Sequence, residues 1–161
     1  MALKIKDKMW CATSALLVLT LAACTNAEIR ATRIGSVNAN PLQQQLYLQY
    51  GELAFRKQTE GNSASARHFE LKAARAAAGR DVVSDRPDNP DALADFVRLH
   101  FAISDGTAVP AIRARAQVMF DCWLEEQEQN LDRDDIQACR QEFERALALL
   151  TGTLAMKANP S

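Results

Sequence analysis

From residue 41 onward, apolar positions recur every three or four residues, and the breaks between runs fall at Asn, Gly and Pro. Leu42, Leu46, Tyr50 and Leu53 have helical spacing behind Asn40-Pro41, a cap followed by a first-turn proline. Gly61-Asn62 stops this helix near residue 60. A second helix starts at Asn62 or Ser63 and runs to Gly79, with Ala66, Phe69, Ala73 and Ala76 inward. Those small residues allow close helix–helix approach. Arg80 to Asn89 reads as a connector because Arg86-Pro87-Asp88-Asn89-Pro90 is turn chemistry. Pro90 opens a third helix with Leu93, Phe96, Val97, His100 and Ile103 on its apolar side, ended by Asp105-Gly106.

The fourth helix spans Thr107–Pro110 to about Asn130, facing inward with Ile112, Ala116, Met119, Phe120 and Trp123, and Cys122 beside them. Asp132 caps a fifth, with Asp135 three residues on. Ile136, Cys139, Phe143, Leu147 and Leu150 form its stripe, and Gly152 ends it. The pattern predicts an all-α domain over residues 41–151, with about five helices in packed antiparallel hairpins and a flexible tail over 152–161. No strand pattern occurs. The first hairpin, Gly51 to Ala74, resembles one tetratricopeptide-type unit in the placing of Ala66, Phe69 and Ala73. No second copy follows at the 34-residue period.

The N-terminal segment follows different rules. Lys4, Lys6 and Lys8 precede an apolar run from Cys11 to Ala23, the layout of a secretory signal peptide. The run is shorter than the roughly 20 apolar residues of a spanning helix. Leu21-Ala22-Ala23-Cys24 resembles a bacterial lipobox. The resemblance implies that residues 1–23 are removed and that the Cys24 thiol becomes the lipidated N-terminus, carrying diacylglyceryl and a palmitate-class chain. More than one acyl chain makes anchoring stable. Ordinary signal cleavage after the small Ala22 and Ala23 is the rival reading. Thr25, where inner-membrane lipoproteins tend to carry Asp, implies the outer membrane, periplasmic side. Residues 24–40 are then lipidated Cys and polar tether.

Removing Lys4, Lys6, Lys8 and Asp7 turns 19 basic and 20 acidic residues into 16 and 19, a net charge of −3 over 138 residues. That length suits one domain, and that charge argues against a nucleic-acid partner. With Cys11 discarded and Cys24 lipidated, Cys122 and Cys139 remain, an even pair in an oxidising compartment, and a disulfide is the default. A redox pair would favour Cys-x-x-Cys, whereas 16 residues intervene here. A zinc site would need two further ligands from His68 and His100. The two cysteines also sit about eight residues either side of the turn near Asn130-Leu131. At roughly 1.5 Å per residue they reach the same height on antiparallel helices. Closing such a loop stabilises by about 3 kcal/mol in the chain-entropy model.

Phe120-Asp121-Cys122-Trp123, Glu126-Gln127-Glu128, Asp135-Ile136, Ala138-Cys139-Arg140 and Phe143 resemble the N-terminal helical region of alphaproteobacterial OmpA-like lipoproteins. His68-Phe69 and Lys72-Ala73 fit as well, so the likeness covers most of 41–150. In those relatives a peptidoglycan-binding domain follows; here the chain stops at Ser161. The resemblance therefore implies an envelope location and a helical module with its Cys pair; peptidoglycan contact does not carry over with it.

Sharper chemistry is weak. Asn130, Asp132 and Asp134 alternate like a calcium loop, but Asp135 and Gln141 stand where Gly and Glu are needed. His100 reads as a core or edge histidine, His68 as surface, Trp123 as core, and Glu125, Glu126 and Glu128 as a solvated helix end. Such an acidic C-terminus opposes the helix dipole and seeks a cation. Ser63 and Ser65 lack a nucleophile context. No cofactor, metal or catalytic set is expected. The reading is a non-enzymatic lipoprotein that binds an envelope protein or supports envelope assembly. The alternatives are a pilotin-like accessory factor for an outer-membrane protein, favoured by an open groove among the first three helices, and an envelope enzyme or inhibitor.

Overall fold

Among the described residues five helices follow one another: α1 Pro41–Thr59, α2 Ser63–Ala77, α3 Pro90–Ser104, α4 Pro110–Gln129 and α5 Arg133–Ala158. The computed structural model describes residues 40–104, 108–129 and 132–158, the last six by backbone alone. The chain divides after Ser36, and the helical domain belongs to the second unit, Val37–Ser161. The described residues contain no strand, so the fold is all-α, as the periodicity predicts. No helix among them is long and apolar enough to cross a membrane.

Local chemistry sets the helix ends. Asn40 Oδ1 accepts the Leu42 amide at 3.0 Å, Asn62 Oδ1 that of Ser65 at 3.2 Å, and Asn89 Oδ1 that of Ala92 at 2.7 Å. Asp132 Oδ1 accepts the Asp134 amide at 2.8 Å and starts α5. Gly61 and Gly79 adopt φ of 80° and 70°, the left-handed conformation that closes α1 and α2 without a Cβ clash. The amides after them return to Lys57 O and Arg75 O. Gly152 differs. It is not among the positive-φ glycines, and α5 runs on through it to Ala158. The expected stop fails because Gly alone does not end a helix; a left-handed residue does.

α1 and α2 form one antiparallel hairpin and α4 and α5 another. α1 lies along α4 in the same direction: Gln49 reaches Ala111, Tyr50 reaches Asp121, and Lys57 reaches Glu126. α2 runs against α4, pairing Lys72 with Asp121 and Asn62 with Gln129. α4 is thus the central helix, buried at every position from Val118 to Leu124. That is why its apolar residues do not keep to one face. Phe120 sits among Phe143 at 5.3 Å, Trp123 at 5.8 Å and Phe96 at 6.0 Å between ring centroids. Trp123 is core, as expected, and the Arg140 guanidinium caps its ring at 5.0 Å.

α3 departs from the predicted face. Its buried residues are Ala92, Asp95, Leu99 and Ala102, while Val97 and Phe101 are 60% and 79% exposed. The helix packs edge-on against α4 and α5 along a narrow stripe of mostly small residues. Leu93, Val97 and Phe101, four apart, turn outward. Phe96 and Ile103 are half-buried against the core. His100 lies at this edge, packed on Phe96 at 4.2 Å.

Candidate functional site

Three features of the domain carry chemistry. The first is a buried polar cluster on α4. Asp121, 1% exposed, accepts hydrogen bonds from Tyr50 Oη at 2.5 Å, Lys72 Nζ at 2.5 Å and the Asp85 backbone amide at 3.0 Å. Lys72 also reaches Val83 O at 3.2 Å and the Asp85 carboxylate at 2.8 Å. Gln117 donates to Val82 O at 2.8 Å. His68 contacts Asp85 at 2.9 Å, at the surface end. Together these groups clamp the connector 82–85 onto α1, α2 and α4. An extended segment cannot satisfy its own backbone groups, so side chains of the hairpins do it.

Burial pushes the Asp121 carboxyl up to about 6; the Lys72 ammonium pulls it back and the Asp85 charge adds to the rise. Burial, then the Asp121 charge, raises the Tyr50 phenol well above its ordinary value, so it remains a donor. The linkage sign follows. A carboxyl whose folded value exceeds its unfolded value binds protons more tightly in the native state, so its contribution is fully present below about pH 4. It is lost as pH rises through about 6, on the order of 2–3 kcal/mol. Urea unfolding at pH 4, 5, 6 and 7, for wild type and Asp121→Asn, isolates it: the stability difference should shrink across that window and then level off. A difference growing with pH would reverse this assignment.

The second feature is the disulfide corner. Cys122 and Cys139 are bonded between α4 and α5, as their spacing predicts. Arg56 Nη2 donates to Cys122 Sγ at 3.0 Å, with Cys139 Sγ at 3.7 Å. Glu126 is 4% exposed and forms an ion pair with Lys57, which also binds Glu60 at 2.5 Å. This corrects the solvated reading of the acidic run: Glu126 found its cation inside the fold. Burial lowers the Lys57 ammonium, but hydrogen bonds and charge from Glu126 and Glu60 outweigh it and hold it above its usual value. Glu125 accepts from Ser65 Oγ at 2.6 Å. Donor atoms of Cys122, Glu126 and Cys139 lie within 4.8 Å of one another. With the sulfurs joined and Glu126 paired, this set holds no open ligands.

The third feature is an open groove of about 480 Å³ between α1 and α5, floored by the first turns of α4. Ala111 and Ile112 form the floor, Gln49 and Glu52 one bank, Ala146 and Leu149 the other. Arg115 Nη2 binds Glu142 at 3.0 Å, and Arg145 binds the same carboxylate. The Arg115 hydrogen bond, with both arginine charges, holds the Glu142 carboxyl below its usual value despite partial burial. Along α1, Leu48 and Phe55, four before and three after Glu52, stand outside the groove lining on the outward side of the helix. They are 48% and 71% exposed.

Cys24 and Asn130 lie outside the described residues. Asp132 is spent as the α5 cap. His68 is at the surface beside Asp85, and His100 is at the α3 edge against Phe96. The sequence reading missed Tyr50, Lys72 and Asp121 as a unit. Tyr50 fits the apolar stripe of α1, and Lys72 adjoins the small-residue face of α2 with nothing local to mark it as buried. The available signal was a lone Asp within Val118–Leu124, an otherwise apolar run on a helix destined for the centre.

The class defined by these observations is an all-α helical domain stapled by one disulfide, with a groove across its three best-packed helices. Comparison of the chain with protein families, curated proteins and solved structures finds no match.

Proposed function

We propose that this chain is a non-enzymatic cell-envelope lipoprotein, anchored through Cys24 on the periplasmic side of the outer membrane, whose helical domain engages a protein partner. The observation that carries the location is Leu21-Ala22-Ala23-Cys24 at the end of a basic-then-apolar leader. The Cys122–Cys139 bond supports an oxidising compartment, where such bridges persist. The resemblance to helical regions of OmpA-like lipoproteins points the same way. The open groove with the exposed apolar Leu149 on its bank supports protein recognition, since helical grooves commonly take amphipathic segments. The pilotin-like alternative wanted an open groove among α1 to α3; this groove instead involves α1, α4 and α5.

Cells expressing the full chain, fed labelled palmitate, test the anchor. Label should enter the wild-type protein, vanish in Cys24→Ser, and leave that variant in the soluble periplasmic fraction. Wild-type protein that is exported and cut without acquiring label would overturn the lipoprotein reading.

A further inference from the structure

The groove between α1 and α5 is polarised, and its polarity selects a partner. On the α1 bank the only groove-lining charge is Glu52. On the facing side Arg115 and Arg145 share the single Glu142, leaving that side net positive. Between the two banks the floor is apolar, Ala111 and Ile112, continued by Ala146. Leu149, exposed on the α5 bank, extends that apolar floor by one turn. α5 runs antiparallel to α1 here: Gln49 and Glu52 share the groove with Ala146 and Leu149, and Arg56, further along α1, lies beside Cys139, earlier in α5. The trough is therefore bounded by two antiparallel helices, a shape that accepts a third.

We infer that this groove binds an amphipathic helix of a partner protein, with an apolar ridge on the floor, a basic flank against Glu52 and an acidic flank against Arg115 and Arg145. The inference rests on the protein-interaction reading above and names the chemistry of the partner. The apolar ridge supplies the affinity through Ile112, Ala146 and Leu149. The two charged rims supply orientation and discrimination, because rim charges act more on selection than on strength.

The test uses the full-length protein in detergent and three synthetic helical peptides of about 18 residues, five turns. All carry the same Leu ridge; one has a Lys flank and a Glu flank, one has two Lys flanks, and one has two Glu flanks. Fluorescence titration should show the mixed-flank peptide binding tightest, by about fivefold over either uniform peptide. Leu149→Ser should weaken it by about tenfold or more. Glu52→Arg makes both banks basic and should transfer the preference to the two-Glu peptide. Both positions are exposed, and unchanged circular dichroism would show that the fold is retained. Equal affinity for all three peptides, or no saturable binding of the mixed one, overturns the proposal. So does concentration-dependent self-association of the protein alone that Leu149→Ser abolishes, because a second copy would then occupy the groove. These outcomes are independent of palmitate labelling at Cys24, so failure of the groove chemistry and failure of the anchor are read separately.

Discussion

Replacing Lys72 by Met is expected to destabilise the domain by about 3–5 kcal/mol at pH 7. The side chain that remains is of similar length, so little packing is lost. What is lost is the cation that faces Asp121 at 2.5 Å in a site from which water is excluded. Tyr50 and the Asp85 amide still donate to that carboxylate, but neither carries charge. Typical domain stabilities are about 5–15 kcal/mol, so the loss would remove a large share. Two further results separate this account from simple crowding. The penalty should be smaller at pH 5, where Asp121 takes up a proton. Adding Asp121→Asn should recover much of it at pH 7, since a neutral amide needs no counter-ion. Equilibrium urea unfolding reads all three. A pH-independent loss, or additive losses in the double variant, would show that the pair is not the source.

Truncating Phe120 to Ala is expected to cost a similar amount, about 3–5 kcal/mol, by a different route. Phe120 has no exposure and contacts rings from three helices, Phe96, Trp123 and Phe143. Its removal leaves a cavity where α3, α4 and α5 meet. α3 has few other contacts to hold it, so its amides should lose hydrogen-exchange protection before those of α1 and α2. Uniform loss of protection across all five helices would instead mean that the aromatic cluster supports the whole domain and not α3 in particular. Unlike the Lys72 variant, this one should show no pH dependence between 5 and 7.

The clamp on residues 82–85 connects these two effects to the rest of the chain. The connector has no secondary structure of its own, and it delivers the chain from α2 to α3. Its register is set by three side chains from two helices, Lys72 of α2 and Gln117 and Asp121 of α4, of which Lys72 and Asp121 carry charge. A network of this kind is costly when half satisfied, so it rewards one placement of the connector over its neighbours.

How much was legible beforehand varies by element. Helix positions followed from apolar spacing together with Asn and Asp caps, and these are local effects: a cap bonds an amide two or three residues on. Gly61 and Gly79 were legible as stops, but Gly152 was not distinguishable from them, because its conformation depends on what the following residues do. The face of α3 is not legible in the sequence. Leu93, Val97 and Phe101 are apolar, and apolarity alone does not tell whether a neighbouring helix is present to cover them. The Glu run after Cys122 looks solvated by its composition, yet Glu126 lies against Lys57, a residue 69 positions away.

The amino-acid sequence by itself determined the helices, their order, the pairing of Cys122 with Cys139 and the expectation of an exported, lipid-bearing chain. Those rest on short-range periodicity, caps, cysteine number and a motif of four residues. Only the tertiary structure decided which helix is central, where the connector is clamped, which acids are buried and where a groove stays open. Each of these depends on how α1, α2 and α5 surround α4, and no local pattern encodes the distance between side chains that are far apart in the chain.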